Sequence, residues 1–222
     1  WYDRDIDAKM KRTSYRPLAA GNVSSKEVLI LGLFLSITGT IWAIMINPFY
    51  GLIVFGGIFF DVFVYTIWLK RRTCWSIIFG GIAGGMPILA GRTLGIGQID
   101  LVGVTLSLAI LFWIPTHIMT FSLRHFDDYL AAGIPTFPSK YGFAITRLSI
   151  AISSILATLA MGYSAVRIGM AMGFLHFLLI LSGGLISLAI FSLLKASEKL
   201  NFSLFKFASI YMLGSMILIV LV

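Results

Sequence analysis

The chain has 222 residues, 59% of them hydrophobic and 12% charged, with a formal net charge of +8 and a mean hydropathy of +0.96. A soluble domain carries about 25% charged residues, and one aqueous core of this size cannot hide so much apolar surface, so lipid must solvate it. The excess Lys and Arg sit in short segments between apolar runs, which excludes nucleic-acid binding as their purpose and points to membrane topology.

The chain opens on the charged run WYDRDIDAKMKR, with no signal-peptide pattern; so abrupt a start suggests a sequence entered partway. Apolar stretches near the roughly 20 residues needed to cross a bilayer then follow. They lie at 28–46, 50–69, 75–91, 101–123, 145–165, 168–194 and 203–222, predicting an all-α polytopic transmembrane bundle of seven spans. The uncharged linker Asn47-Pro48-Phe49-Tyr50 makes the first two an antiparallel hairpin. The third, short and rich in glycine (GGIAGGMPILAG), is the weakest candidate for a straight crossing.

Alternating the loops across these spans puts 15 of the 17 Lys and Arg on one side and leaves only Arg92 and Arg167 on the other. By the positive-inside rule the dense side is cytoplasmic, giving a multi-pass protein of the cell membrane. A single cysteine, Cys74, excludes an intramolecular disulfide and leaves the redox compartment undecided.

Two acidic clusters share the dense side. In the first, Asp3 and Asp7 stand four residues apart and share a face if the segment is helical; Arg12 and Arg16 follow within a few turns. Facing carboxylates suit a hard cation such as Mg²⁺ that keeps some waters and touches a substrate phosphate, and the cations suit the remaining phosphate charge. A solvated juxtamembrane segment resting on anionic lipid heads has the same composition. The second cluster is Arg124-His125-Phe126-Asp127-Asp128-Tyr129, and Lys70-Arg71-Arg72 lies on that side too. Surface ion pairs alone contribute little, but together these groups read as a two-sided clamp for a metal-bound diphosphate.

Ionisable residues inside spans are costly and face a cavity or a partner. Asp61 sits in the second span, divided between pairing with Tyr65 and binding substrate; His117 lies two turns below the second acidic cluster, and His176 reads as structural. The aromatic and Met content of the spans reads first as packing, with an apolar isoprenoid cavity as the alternative.

The run WYDRDIDAKMKRTSYRPL at 1–18 resembles the first aspartate motif of the UbiA superfamily of intramembrane prenyltransferases, and within it the branch that farnesylates protoheme IX. Asp3, Asp7, Arg12, Thr13, Arg16 and Pro17 carry that likeness; the motif's leading Asn would fall two positions before Trp1. The segment 65–92 is similar to the branch's Tyr-Thr-x-x-Leu-Lys-Arg block, with Ser76 where Asn is common. The segment 113–138 resembles its Trp…His…Asp-Asp-Tyr block through Trp113, His117, Asp127, Asp128 and Tyr129. Thr136 and Phe137 replace the usual Met-Leu there, and Pro115 is displaced by one position.

The resemblance spans essentially the whole chain and implies a nine-helix fold around a central cavity open to the membrane. Residues 1–222 would then be a single prenyltransferase domain without the first two helices, and such a fragment is expected to be inactive. The resemblance further implies farnesyl transfer from farnesyl diphosphate to a vinyl group of heme B. Mg²⁺ would be held by Asp3, Asp7, Asp127 and Asp128, and the diphosphate by Arg12, Arg16, Lys70, Arg71 and Arg124; His117 would position the heme and Asp61 would contact substrate. Rival expectations are a quinone-precursor or lipid acceptor, and an ion-coupled transporter using Asp61 and His117. Oligomeric state is not readable from the sequence.

Overall fold

A computed structural model describes residues 1–221. A short amphipathic helix, α1 (Arg4–Lys9), precedes α2 (Ser25–Ile46), α3 (Pro48–Ile58), α4 (Ser76–Ile96), α5 (Leu101–Arg124), the short α6 (Phe126–Ala131), α7 (Phe137–Ile168), α8 (Met172–Leu194) and α9 (Glu198–Val220). The α3 helix runs on without a break into a π-helical segment, Phe59–Leu69. Counting α3 and that segment as one, seven helices among the described residues are long and apolar enough to cross a membrane, matching the seven spans read from hydropathy.

Local chemistry sets the boundaries. Asn47 ends α2 and caps α3, its side-chain oxygen accepting from the backbone N–H of Phe49 (2.8 Å) and Tyr50 (3.1 Å), with Pro48 at the first helical position. Asp100 caps α5 through Gly103 N–H and also forms an ion pair with Arg92, clamping the α4–α5 turn at the end of the bundle remote from α1. The α7 helix begins much earlier than the expected 145, because Thr136 and Ser139 form a reciprocal cap. Gly142 then breaks the helix with φ 79°, a left-handed conformation that favours glycine, so Phe137–Tyr141 is a separate turn leading into the long span.

The third span is a complete helix of 21 residues with Pro87 inside it, so the glycine run shortens nothing. Its glycines are a packing face. A Cβ on Gly85 would come within 2.3 Å of Ser107 Oγ, and one on Gly84 within 2.4 Å of Ile114 Cδ1, so only glycine lets α4 lie this close to α5. In lipid the backbone hydrogen bonds have no competing water, which keeps a Gly- and Pro-bearing segment helical.

The α5 helix is the centre of the bundle, packed on α4, α7 and α9. Buried polar groups pin it: Thr116 to Ser154 of α7 (2.9 Å), Thr105 to Ser164 (2.8 Å), Asn201 Nδ2 of α9 to the Thr120 carbonyl (2.8 Å), and Trp113 Nε1 to the Ala208 carbonyl (2.8 Å). Between helices in lipid such bonds fix register where apolar burial gives little drive. Helices α5, α7, α8 and α9 thus form a packed block, whereas α2, α3 and α4 continue from α5 as an arc, and α2 buries only Ala43. The arc leaves a groove between α3 and α4 and a deeper cleft where the α3 span, α4 and α5 meet.

Candidate active site

The site begins with α1, which lies across the charged end of the bundle. Its apolar residues Ile6 and Met10 are buried with Ala132 and Ile134, beside Tyr129 of α6, so packing alone joins the two acidic segments to one end. The Thr13 hydroxyl, fully buried, donates to the Asp7 carbonyl at 2.9 Å and closes the helix.

Each carboxylate of α1 has its own cation. Asp3 pairs with Lys70, Asp7 receives both bonds of Arg16 at 3.1 Å, and Asp5 takes a two-pronged contact from Arg71 at 2.7 and 2.8 Å. Arg71 also donates to the Tyr2 carbonyl at 2.8 Å and covers the Tyr2 ring. Hydrogen bonding from Arg71 holds the Asp5 carboxyl down to about 2 and raises the Arg71 guanidinium in turn. Asp5, outside the expected site set, is therefore the staple between α1 and the α3 span.

The π-helix explains how Lys70 reaches the site. In an α-helix two residues five apart point roughly 140° away from each other. Here the bonding shifts to i→i+5, the Lys70 N–H donating to the Tyr65 carbonyl at 2.8 Å, so five residues make about one turn. Lys70 Nζ consequently stands 5.6 Å from the centre of the Tyr65 ring.

Between α1, α4, α5 and α6 lies a pocket of about 160 Å³. Asp7, Arg12, Arg16 and Lys70 line its mouth; Tyr65 and Tyr129 line its wall, with Ile77, Ile118 and Met119 among its apolar residues. Burial pushes the Tyr129 phenol upward, so it is a neutral hydrogen-bond donor to whatever occupies the pocket. Tyr65, Ile77 and Ile118 also line a second cavity of about 210 Å³ inside the membrane region, which holds Asp61, Trp113 and His117. Asp61 and Gly80 in turn border a groove of about 610 Å³ between α3 and α4, lined by glycines and apolar side chains. A charged mouth thus adjoins, across Tyr65, two apolar cavities in the membrane region, the larger with nearly four times the volume of the mouth.

The remaining expected residues fall as follows. Asp61 makes no hydrogen bond among the described residues, to Tyr65 or to any other group, and faces both inner cavities. His117 is stacked between Trp113 (4.8 Å) and Phe205 (4.5 Å), with Nδ1 3.3 Å from Ser209 Oγ. His176 lies outside this region and only contacts the Met172 carbonyl of its own helix. Asp127 is exposed and Asp128 lies 3.9 Å from His125; both are at the charged end, and neither lines the pocket. Arg124 is also outside the pocket, its guanidinium over the Phe202 ring.

Among the described residues no three His, Cys, Asp or Glu side chains come together as an all-protein metal cage. The donor set fits a different use. Asp3 Oδ1 is buried without a hydrogen-bond partner, 3.8 Å from Arg71, and Asp7 stands one helical turn away. Hard carboxylate oxygens beside a cationic pocket suit Mg²⁺, which binds through one or two carboxylates and completes its shell with water and substrate phosphate.

Residues 1–210 match the model of the UbiA prenyltransferase family. The chain belongs to that family. It is 44% identical over 154 residues to a protoheme IX farnesyltransferase of Korarchaeum cryptofilum, covering 69% of this chain and 52% of that protein. With the protoheme IX farnesyltransferase of Pyrobaculum islandicum it shares 36% identity over 215 residues, covering 94% and 76%. The match thus spans about half the length of the first relative. A solved structure of digeranylgeranylglyceryl phosphate synthase superposes with a TM-score of 0.76 at 19% identity, covering 98% of this chain and 76% of that one, which establishes the UbiA fold and nothing finer. With seven membrane-spanning helices, this UbiA protein is a multi-pass membrane protein.

Tyr65, Tyr129 and Asp5 are the site residues that sequence reasoning left out. The two tyrosines sit in the very blocks that carry the family likeness, next to Asp61 and Asp128, and their spacing from the acidic residues was the available signal.

Proposed function

We propose that this protein is an intramembrane prenyltransferase that moves a farnesyl group from farnesyl diphosphate to a vinyl group of protoheme IX, with its charged end in the cytoplasm. One observation carries the reading: a mouth of paired carboxylates and cations adjoins, across Tyr65, apolar cavities within the membrane region. Such a shape takes an amphiphile with a polyanionic head and a hydrocarbon tail. The names of the relatives supply the donor and the acceptor.

Lys70, Arg12 and Arg16 receive the diphosphate as the allylic C–O bond breaks, placing positive charge where negative charge develops. Arg16 exchanges Asp7 for phosphate oxygen, and Tyr129 donates a hydrogen bond without adding charge. Asp3 and Asp7 would hold Mg²⁺, which would supply positive charge against the leaving diphosphate, with Asp127 and Asp128 at the same charged end of the bundle but outside the pocket. The allylic cation forms beside Tyr65, where apolar walls exclude water that would capture it. The electron pair of the vinyl group then attacks the allylic carbon, and the cation left on the ring-side vinyl carbon is taken by water, which adds a hydroxyl there and releases a proton.

Membranes containing the protein, supplied with labelled farnesyl diphosphate, are expected to label protoheme, and to leave 4-hydroxybenzoate and geranylgeranylglyceryl phosphate unlabelled. Asp3→Asn and Lys70→Met are each expected to lower turnover by about 100-fold, the scale of losing one electrostatic contact to the transition state. Label on either alternative acceptor and none on protoheme would refute the reading.

A further inference from the structure

Helices α5 and α9 meet along an aromatic seam that the diphosphate mouth does not use and whose rings are not fully buried by the packed block. On α5 it carries Trp113, His117 and Phe121, four residues apart and therefore in one row. On α9 it carries Phe202, Phe205 and Ser209, in register with them: His117 stacks on Phe205 at 4.5 Å, and Phe121 lies 5.8 Å from it. All five of these rings are partly exposed, and two of them, Trp113 and His117, line the cavity that also holds Asp61 of the α3 span.

At its charged end the row meets cations. Arg124 lies 3.8 Å and Lys206 4.5 Å from the centre of the Phe202 ring, and Arg12 lies 4.9 Å from that of Phe121. Among the described residues none of the three has a carboxylate within ion-pairing distance, whereas Lys70, Arg71, Arg16 and Arg92 all do. Arg12 also lines the diphosphate pocket, which leaves Arg124 and Lys206 as two exposed cations over an aromatic wall with no assigned task.

The geometry points to this face as the acceptor subsite: Arg124 and Lys206 pair with the two carboxylates of a planar dicarboxylate tetrapyrrole whose ring lies against the α5/α9 aromatic row. The inference rests on the farnesyl-transfer reading and adds to it where the acceptor sits and which way it faces. Two carboxylates match two free cations, and a flat apolar macrocycle matches partly exposed aromatic rings. With the carboxylates held at the α9 rim, the vinyl-bearing edge is directed across the cleft, toward the cavity that Tyr65, Ile77 and Ile118 join to the diphosphate pocket. Arg124 thereby leaves the diphosphate set and becomes a residue for acceptor specificity.

The test compares protoheme with its dimethyl ester, titrated by absorbance into the detergent-solubilised protein without prenyl donor. The wild type is expected to bind the diacid at least about 10-fold more tightly than the diester, the scale of one charge-assisted bond. The double variant Arg124→Gln/Lys206→Gln is expected to bind both equally, with KM for farnesyl diphosphate unchanged, and Arg124→Lys to restore part of the preference. Unchanged donor KM shows that the variant is folded. Equal binding of acid and ester by the wild type, or a preference surviving in the double variant, overturns the subsite while farnesyl transfer stands. Displacement of protoheme by phosphatidylglycerol but not phosphatidylcholine assigns the two cations to lipid heads and overturns it as well. No binding of either porphyrin removes the transfer reading together with this inference.

Discussion

Asp5 shows how single residues divide the work within a motif of three carboxylates. Asp3 and Asp7 border the pocket region, and Asp5 points to Arg71. Its pKa falls from the ordinary 3.8 to about 2 on folding. A depressed carboxyl pKa means the unfolded state binds the proton more readily, so the pairing stabilises fully above pH 3.8 and is lost as pH falls through about 2. Asp5 is largely exposed, so the effect is local. Amide exchange in α1 is therefore expected to stay slow from neutral pH down to about 4, after correction for intrinsic rates, and to quicken between there and about 2. Asp5→Asn should show the fast, pH-independent behaviour throughout, with the seven spans still protected. An acid-labile α1 in Asp5→Asn equal to the wild type would show that the staple lies elsewhere. None of this pairing was legible beforehand, because Asp5 and Arg71 are 66 positions apart and their meeting depends on how α1 docks.

Among the elements, legibility followed the physics of the solvent. Hydropathy located all seven spans, six of them to within about five residues at each end and the fifth with its start eight residues late, because lipid makes apolar length obligatory. It could not locate the π-helical stretch, since a change of bonding from i→i+4 to i→i+5 leaves composition untouched. Nor did it expose the aromatic face of α5 and α9: lipid-facing and cavity-facing sides of a span are both apolar, so periodicity separates them poorly. Glycines misled in the opposite direction. The run in α4 looked like a weakness of the span and is its contact with α5. Gly85→Leu is expected to destabilise the protein by about 1–3 kcal/mol through overpacking, and more if Ser107 and its backbone cannot yield. Gly91→Ala, on the same helix but with open space around the added carbon, should stay within about 0.5 kcal/mol of the wild type. Unfolding of the two variants in mixed detergent micelles measures the difference, and equal stabilities would show that α4 does not rely on close approach to α5.

At the scale of the whole molecule, the arc α2–α3–α4–α5 gives the protein a polar end and a lateral apolar groove, bridged by the cavity around Asp61 and Tyr65. A donor whose head occupies the mouth is expected to send its tail past Tyr65 and along Asp61 and Gly80 into the α3–α4 groove, because the α5/α9 face is taken by the proposed acceptor. Groove length then sets which isoprenoid is used. Gly91 lines the groove far from the mouth, and a side chain added there meets no atom within 4 Å, so bulk at this position fills the channel without moving a helix. Gly91→Phe is expected to lower kcat/KM for farnesyl diphosphate by about 10-fold or more, since several methylenes lose their apolar contacts at ~0.8 kcal/mol each. Geranyl diphosphate, one isoprene unit shorter, should be used as well as before. The ratio of the two substrates is the measurement that decides, because a merely misfolded variant lowers both together. An unchanged ratio would place the prenyl tail outside the α3–α4 groove. It would then have to run along the α5/α9 face, where the acceptor is proposed to lie, and the two sites would have to exchange places.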